Sequence, residues 1–198
     1  MKLRESGMPE ENYWETLLEV DLILDRLGFD ATLRDVVELG CGYGTFTLPV
    51  ARRISGIIET LDIEPAMIER TRQRAEAAGL RNIVFHLRDV MTEGFGGVPE
   101  SRDACLLFNI LHCEQPVRRL TEAARAVRVG GWVLVIHWRY DASTPRGPSL
   151  DIRPRPEQTV QWAKQSGVLT AVGGVIDLPP WHYGLRFRRA ADQKPHAP

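Results

Sequence analysis

Short apolar runs alternate with amphipathic segments along most of this 198-residue chain. The run Asp35–Leu39 is mostly apolar and stops at glycines, which is typical of a buried strand. Pro65 suits the first turn of a helix, where its missing N–H costs nothing, and Gly79 suits the end of that helix. The pattern predicts strands at 35–39, 57–61, 82–87, 103–108, 132–138, 169–176 and 183–189, and helices at 45–54, 65–78, 116–127 and 157–165.

The two ends of the chain have different patterns. Between Glu11 and Leu27 the apolar residues recur mostly at helical spacing, and Gly28 is a plausible C-terminal cap, so we expect one N-terminal helix. Residues 191–198 are polar and end in prolines, and we expect a flexible tail there.

The alternation of strands and helices predicts an α/β fold. Right-handed crossovers then produce a mostly parallel sheet. Ligands of such sheets bind beyond the carboxyl ends of the strands, near the point where the strand order reverses. The residues that end the early strands are therefore the first candidates for a site: Gly40, Asp62, Asp89 and Asn109.

Composition narrows the class of protein. The net charge is −1, without the basic excess that phosphate neutralisation demands, so no nucleic-acid partner is expected. Three scattered cysteines form no CxxC pair, which disfavours a disulfide framework, a zinc knuckle or any other metal site. We find no secretory signal and no apolar run of membrane-spanning length. The length indicates one domain, since domains commonly have about 100–200 residues. We expect the protein to be cytoplasmic and to be a monomer or a homodimer.

The segment Glu38–Gly44 is the first candidate binding loop. Its GxGxG pattern lies between a strand and a helix, where glycines permit a sharp turn and the helix N-terminus favours an anion. A plain strand-to-helix turn is the alternative interpretation. The dinucleotide pattern needs glycine or alanine one residue later, where Thr45 stands, so a pyrophosphate loop matches less well.

Two acids follow the next two strands. Asp62 comes about twenty residues after the glycine loop, where a carboxylate accepts hydrogen bonds from ribose hydroxyls; alternatively it caps the helix at Pro65. Asp89 is placed to accept a hydrogen bond from an adenine amino group, or is an ordinary acid of a surface loop.

Five segments together resemble the ordered motifs of class I S-adenosylmethionine-dependent methyltransferases. The resemblance runs from Val36 to His137 and is nearest to the small-molecule group of quinone-biosynthesis (type 11/25) enzymes. Val129 stands where the family usually has proline, before the Gly130–Gly131 turn. The segments are 36–44, 61–68, 87–90, 103–112 and 127–134.

The resemblance implies a fold and a cofactor. The fold is a Rossmann-like, doubly wound α/β sheet of seven mostly parallel strands whose last strand is antiparallel and lies beside the fifth. The cofactor is S-adenosyl-L-methionine, with Ile63 packed on its adenine. The implied cofactor-binding residues are Glu38, Gly40, Cys41, Gly42, Tyr43, Gly44, Asp62, Ile63, Met67, Asp89, Val90 and Asn109.

The resemblance also implies a domain division and an acceptor pocket. Residues 1–34 become an N-terminal helical lid, residues 35–190 the methyltransferase domain, and residues 191–198 the tail. His112 is the candidate general base, since histidine titrates near neutral pH, although a packing role is the alternative. The candidate pocket residues are Tyr13, Trp14, Leu111, Trp138 and Arg139, with the loop 141–156 shaping the pocket.

The acceptor is expected to be a small molecule. After the fourth strand the chain reads Phe108-Asn109-Ile110-Leu111, without the Pro-Pro-aromatic motif of adenine and glutamine methyltransferases or the Pro-Cys pair of cytosine C5 enzymes. Two other functions stay open: a noncatalytic S-adenosylmethionine-binding or partner-binding module, and a nicotinamide oxidoreductase, which Thr45 and the later motifs disfavour.

Overall fold

A computed structural model describes residues 7–191 of the chain. The strands are β1 (Val36–Leu39), β2 (Ile58–Asp62), β3 (Ile83–Leu87), β4 (Arg102–Phe108), β5 (Val127–Trp138), β6 (Leu169–Ala171), β7 (Ile176–Leu178) and β8 (His182–Arg189). The helices are α1 (Glu11–Glu15), α2 (Val20–Leu27), α3 (Thr47–Arg53), α4 (Pro65–Ala77), α5 (Val90–Glu93), α6 (Pro116–Ala126) and α7 (Pro156–Gln165).

All described strands form a single sheet with the order β3-β2-β1-β4-β5-β8-β6, and β7 also pairs with β8. Strands β1 to β5 pair in parallel, whereas β8 is antiparallel to β5. The predicted Rossmann-like α/β fold with an antiparallel last strand is therefore confirmed. The strand order reverses between β1 and β4, which places a crevice beyond their carboxyl ends.

The late strands differ from the prediction. One strand was expected over 169–176, but β6 and β7 are separate and pair with opposite ends of β8, through Leu169–Arg189 and Leu178–His182. Gly173 lies between them with a φ of +77°, a conformation outside the strand region. Eight strands therefore fill seven positions across the sheet.

The core lies on both faces of the sheet. Strands β1 and β4 are buried at every residue, as expected of central parallel strands covered on both faces. Because side chains alternate along a strand, Val36 and Leu106 belong to one apolar cluster, whereas Val37 and Leu107 belong to the other.

The helices follow the prediction with two corrections. The single N-terminal helix is broken into α1 and α2, because Leu17 and Leu18 are both buried and Leu18 forms a β-bridge with Pro180. Gly28 ends α2 in the left-handed conformation, as predicted. The short helix α5, which directly follows Asp89, was not predicted.

Two other expectations meet the described residues only in part. Residues 1–6 of the predicted lid and 192–198 of the predicted tail lie outside them.

Between residues 7 and 191, none of the helices combines the length and apolarity needed to span a membrane. Over the same range the three cysteines are buried and form no disulfide, and no group of three or more potential ligands is placed to hold a metal ion.

Candidate active site

A cavity of about 540 Å³ opens beyond the carboxyl ends of β1, β2 and β4. Its volume is in the range of small-molecule sites, about 300–1,000 Å³. Most of the residues proposed from the sequence line it: Trp14, Glu38, Gly40, Cys41, Gly42, Tyr43, Asp62, Ile63, Met67, Asp89, Val90, Asn109, His112 and Trp138.

One side of the cavity, which we term the glycine-loop wall, consists of Glu38–Tyr43 and Asp62. Asp62 is buried, and its Oδ2 accepts hydrogen bonds from the Gly42 N–H (3.1 Å) and the Cys41 thiol (3.5 Å). Its Oδ1 accepts the Glu64 N–H at 2.9 Å. The N-cap of α4 is Glu64, so Asp62 does not cap that helix. It holds the end of β2 against the glycine loop.

Two loop glycines have different surroundings. Gly42 has a φ of +51°, and a Cβ built there would lie 3.1 Å from the flexible end of Met8. Gly44 does not line the cavity; a Cβ there would lie 2.6 Å from Leu48 Cδ1 and 2.8 Å from Thr71 Cγ2. The missing side chain therefore clears space beside the cavity at Gly42 and permits helix packing at Gly44.

Glu38 is a buried acid on the same wall. Its Oε2 accepts hydrogen bonds from the hydroxyls of Thr47 (2.5 Å) and Thr60 (2.9 Å). Burial raises the pKa of this carboxyl to about 7, and the two hydroxyl bonds only partly offset that rise. Glu38 thus changes charge near neutral pH while it faces the cavity.

The exit of β3 forms a further part of the lining. Asp89 is the N-cap of α5, and its Oδ1 accepts the Met91 N–H at 2.9 Å. The side chain is therefore an ordered cap and not merely a surface acid. Ile63 remains partly exposed on the neighbouring loop and lines the cavity with Met67.

The opposite side of the cavity, which we term the aromatic wall, consists of Trp14, Phe46, Phe108 and Trp138 with Asn109 and His112. Trp14 meets Trp138 edge-on with centroids 6.3 Å apart. Phe46 and Phe108 pack in the same way at 4.8 Å. Rings stacked in this manner form an apolar surface suited to a flat organic ligand.

Polar groups lie behind this wall. Asn109 has a φ of +56°, and its Nδ2 is 3.4 Å from Nε2 of the fully buried His182. Burial lowers the pKa of His182 to about 3 and lowers that of His137, so both rings are neutral near pH 7. His112 contacts His137 edge-on at 5.5 Å.

Three further sequence candidates, besides Gly44, do not line the cavity. Tyr13 is exposed on α1, and Leu111 is fully buried in one of the two apolar clusters. Arg139 forms an ion pair with Asp177 and donates to the His182 carbonyl at 3.3 Å. Tyr13 and Trp14 are adjacent in a helix, so only one of them faces the sheet.

The segment before α1 closes over the glycine-loop wall. Tyr43 donates its hydroxyl to the Pro9 carbonyl at 2.7 Å, and Arg146 donates to the Gly7 carbonyl. Arg70 forms a two-bond ion pair with Glu11, which lowers the pKa of that acid. This segment is therefore attached to the domain through contacts from three separate elements.

The loop 141–156 packs against the aromatic wall. Buried Arg153 donates to the carbonyls of Pro148 (2.7 Å), Arg139 (3.0 Å) and Asp141 (3.1 Å). A Cβ on Gly147 would lie 2.8 Å from Trp138, so the loop fits closely on that ring. Nothing in the sequence pattern indicated that Arg153 organises this loop.

The structure adds cavity residues that the sequence interpretation missed. Met8, Phe46, Arg119 and Arg146 all line the cavity. Phe46 follows the glycine loop, so its position in the chain could have predicted that it lines the cavity. Arg119 lies within a predicted helix, and only the packing of that helix brings it to the cavity.

Comparisons with known proteins agree with this architecture. The family described as "Methyltransferase domain" matches residues 36–131. Aklanonic acid methyltransferase DauC of Streptomyces sp. (strain C5) is 40% identical to this chain over 62 residues, which are 30% of this chain and 28% of that protein. The 23S rRNA (uracil(1939)-C(5))-methyltransferase RlmD of Alkalilimnicola ehrlichii is 42% identical over 71 residues, 36% of this chain and 16% of that protein. The chain thus spans less than a third of the length of these curated relatives.

A solved structure supports the fold across most of the chain. The SAM dependent methyltransferase from Aquifex aeolicus superposes with a TM-score of 0.78 at 15% identity, covering 91% of this chain and 94% of that one. At 15% sequence identity, this structural similarity establishes the fold alone. Residues 36–131 of this chain therefore match the methyltransferase-domain family, and they lie in a Rossmann-like fold that is similar to that of an S-adenosylmethionine-dependent methyltransferase.

Proposed function

We propose that this protein transfers a methyl group from S-adenosylmethionine to a small-molecule acceptor by in-line displacement. The observation that carries the proposal is the single cavity of about 540 Å³ that joins the glycine-loop wall to the aromatic wall. One wall has the glycines and the acid suited to a nucleoside, and the other has the rings suited to an organic acceptor.

The residues of the glycine-loop wall fit the cofactor. Gly42 leaves space where a side chain would intrude, and buried Asp62 holds a carboxylate at the end of β2 for ribose hydroxyls. Ile63 and Met67 would pack on the adenine, with Asp89 and Val90 at its polar edge. The cofactor supplies a methyl group already activated on a sulfonium.

The protein's own contribution is positioning and the exclusion of water. Holding donor and acceptor in line supplies about 7–11 kcal/mol in well-oriented cases. Trp14 and Trp138 would hold the acceptor, and Asn109 would lie beside it at the end of β4. His112 lines the cavity and is our candidate for removing a proton from the acceptor, where the acceptor's own pKa requires it.

The N-terminal segment would act as a lid over the cofactor. Its support is the set of contacts from Tyr43, Arg146 and Arg70 to residues 7–11. Closure by this segment would shield the sulfonium from water.

The acceptor is proposed to be small because it shares one cavity with the cofactor. The name of aklanonic acid methyltransferase DauC, which gives an organic acid as the molecule acted on, favours this class. The rRNA relative matches only 16% of its own length. A cytoplasmic location and a monomeric or dimeric state stay predictions.

Calorimetric titration tests the cofactor first. We expect micromolar binding of S-adenosylmethionine and S-adenosylhomocysteine and none of NAD, with the Asp62→Ala variant as the matched loss-of-binding control. Failure to bind either sulfur compound would remove the proposal. Binding of both compounds, followed by no transfer to any member of a small-acid, phenol and amine panel, would favour the noncatalytic module. NAD binding alone would favour the oxidoreductase.

A further inference from the structure

Arg146 differs from Arg88 and Arg119, the other arginines that line the cavity among residues 7–191. Arg88 Nη1 lies 3.5 Å from Glu93 Oε2, and Arg119 Nη1 lies 2.6 Å from Glu122 Oε2, so each has a carboxylate partner. Arg146 is only partly buried, and no carboxylate of the described residues lies within 4.0 Å of its guanidinium. Its positive charge is therefore available to an anion in the cavity.

The acids that line the cavity lie on the glycine-loop wall and at the exits of β2 and β3. Among the described residues they are Glu38, Asp62, Glu64 and Asp89. The lining residues before position 38 and after position 89, within the described part of the chain, include no acid. This division of charge disfavours an anion beside the glycine-loop wall and favours one at Arg146.

The backbone around Arg146 is held at the edge of the aromatic wall. The next residue, Gly147, lies so close to Trp138 that a Cβ there would be 2.8 Å from Cγ of the ring. Buried Arg153 donates to the Pro148 carbonyl at 2.7 Å and to the carbonyl of Arg146 itself at 3.5 Å. The backbone of Arg146 is therefore ordered before any ligand binds, which lowers the entropy cost of binding through its side chain.

The guanidinium of Arg146 has donors left for a ligand. Within residues 7–191 its hydrogen bond is the one from Nη2 to the Gly7 carbonyl. A guanidinium carries five N–H donors in a planar fork, and two parallel bonds from such a fork match the two oxygens of a carboxylate. A carboxylate therefore matches both the charge and the geometry of the remaining donors.

We propose that Arg146 binds the carboxylate of the methyl acceptor, so that this protein selects small organic anions over neutral molecules of the same shape. This inference rests on the proposed function and specifies its substrate class. Trp14 and Trp138 would hold the body of the acceptor, and Arg146 would bind its charged end. The methionine part of the cofactor carries the same chemical group, so the experiment distinguishes these two sources of a carboxylate.

Benzoate and benzamide are matched probes, since they have nearly the same shape and differ in charge. Each is titrated into the protein saturated with S-adenosylhomocysteine, and ligand-observed NMR measures the dissociation constant. We expect benzoate to bind about tenfold more tightly than benzamide, because a hydrogen bond between two charged groups is stronger than one to a neutral amide. Equal binding of the two probes by the wild-type protein would overturn the proposal.

Two variants assign the preference to one residue. Arg146→Met keeps most of the length of the side chain and removes its charge, and it should bind both probes equally. Arg88→Met is the matched control, because Arg88 lines the cavity but has its own glutamate, and it should keep the preference. Thermal unfolding shows whether each variant folds, and Arg146→Gln replaces the methionine variant if that one does not.

The comparison of probes separates binding from a merely structural role. If Arg146 acted only through its bond to Gly7, Arg146→Met would weaken both probes to the same extent and keep the preference for benzoate. That result would overturn the proposal, and so would a loss of the preference in Arg88→Met.

A second pair of ligands tests the cofactor as the source of the carboxylate. S-adenosylhomocysteine carries the carboxylate of methionine, whereas 5′-methylthioadenosine does not. We expect Arg146→Met to change the affinity for both by less than about threefold, because Tyr43 still holds the segment over the cavity. A loss of more than about tenfold for S-adenosylhomocysteine alone would assign Arg146 to the cofactor and overturn the proposal.

The test is separate from the test of the proposed function. If the wild-type protein binds no S-adenosylhomocysteine, the proposed function fails. Titration of the two benzene derivatives without cofactor then still determines whether Arg146 selects a carboxylate.

Discussion

The glycine-loop wall and the aromatic wall of the cavity are built in different ways. On the glycine-loop wall the polar groups satisfy one another within one continuous segment, residues 38–62: Asp62 accepts from Gly42, and Glu38 accepts from Thr47 and Thr60. Around the aromatic wall the contacts join residues much farther apart in the chain, such as Asn109 with His182 and Trp14 with Trp138. Among the described residues there, both ring nitrogens of His137 and the Oδ1 of Asn109 lack hydrogen-bond partners.

This difference teaches which part of the site depends on the fold as a whole. A wall built from the single continuous unit β1-α3-β2 keeps its geometry as long as that unit is intact. A wall assembled from α1, β4, β5, β8 and the loop 141–156 depends on the packing of all of them. We therefore expect substitutions on the glycine-loop wall to change cofactor affinity, and those around the aromatic wall to change stability and acceptor use.

The largest expected effect is that of Gly42→Val. The residue has positive φ, and a branched side chain would fill the space beside the cavity. We expect cofactor affinity to fall by more than about 100-fold, measured by calorimetry. Gly44→Ala is the contrasting variant: its Cβ would collide with Leu48 and Thr71, so the melting temperature should fall more than affinity does. Normal cofactor binding by Gly42→Val would contradict our interpretation of the loop.

Asp62→Ala should have the second largest effect. The variant loses the ribose-binding carboxylate and leaves the N–H groups of Gly42 and Glu64 without their acceptor. With bonds to charged groups worth about 1.5–3 kcal/mol, we expect a loss of roughly 100-fold in affinity for S-adenosylhomocysteine. Asp89→Ala, which removes the cap of α5 and one acceptor at the polar edge of the adenine, should lose less. Unchanged affinity in Asp62→Ala would refute the role assigned to the acid.

Arg153→Met tests the aromatic wall. The guanidinium holds carbonyls of the loop 141–156, and its removal leaves them without donors. We expect the free energy of unfolding to fall by about 2–3 kcal/mol. S-adenosylhomocysteine affinity should be nearly unchanged. A large loss of cofactor affinity with normal stability would contradict the difference that we expect between the two walls.

The buried histidines predict a pH dependence of stability. The pKa of His182 is about 3 in the folded protein and near 6.5 when the chain unfolds. The stabilising effect is therefore present above pH 6.5 and is lost as pH falls toward 3, at about 1.4 kcal/mol per pH unit. Urea unfolding at pH 7 and pH 5 measures it.

His182→Phe should reduce that loss by about 2 kcal/mol at pH 5. His86→Phe is the comparison variant, since His86 is only partly buried and its Nε2 lies 3.3 Å from Glu59 Oε2. An identical pH profile in wild type and His182→Phe would contradict the neutral state of the buried ring.

The smallest expected effect concerns Glu38. Because burial raises its pKa to about 7, the acid is mostly neutral at pH 6 and mostly ionised at pH 8. An ionised carboxylate attracts a cationic ligand, so the affinity for S-adenosylmethionine should rise roughly three- to tenfold over that range. Glu38→Gln should flatten the dependence. A rise that persists in the glutamine variant would assign it to another group.

The sequence predicted the core strands and the positions that end them, because apolar runs and glycines are local signals. It did not predict the break between α1 and α2, where burial of Leu17 and Leu18 overrides helical spacing. The short helix α5 was missed because four residues carry too weak a periodic signal. Tyr13 was proposed beside Trp14, although helix geometry lets only one of two neighbours face the sheet.

By itself, the sequence determined the fold class, from the alternation of apolar runs and amphipathic segments. Through its resemblance to a family it also indicated the cofactor and the residues of the glycine-loop wall, which lie within one segment, residues 38–62. Only the tertiary structure decided which aromatic rings meet, which histidines are neutral, and that Arg119 borders the cavity. The physical reason is that burial and pairing of side chains depend on elements far apart in sequence. A buried arginine and an exposed arginine can occur in the same sequence pattern, and only the packing of the folded chain distinguishes them.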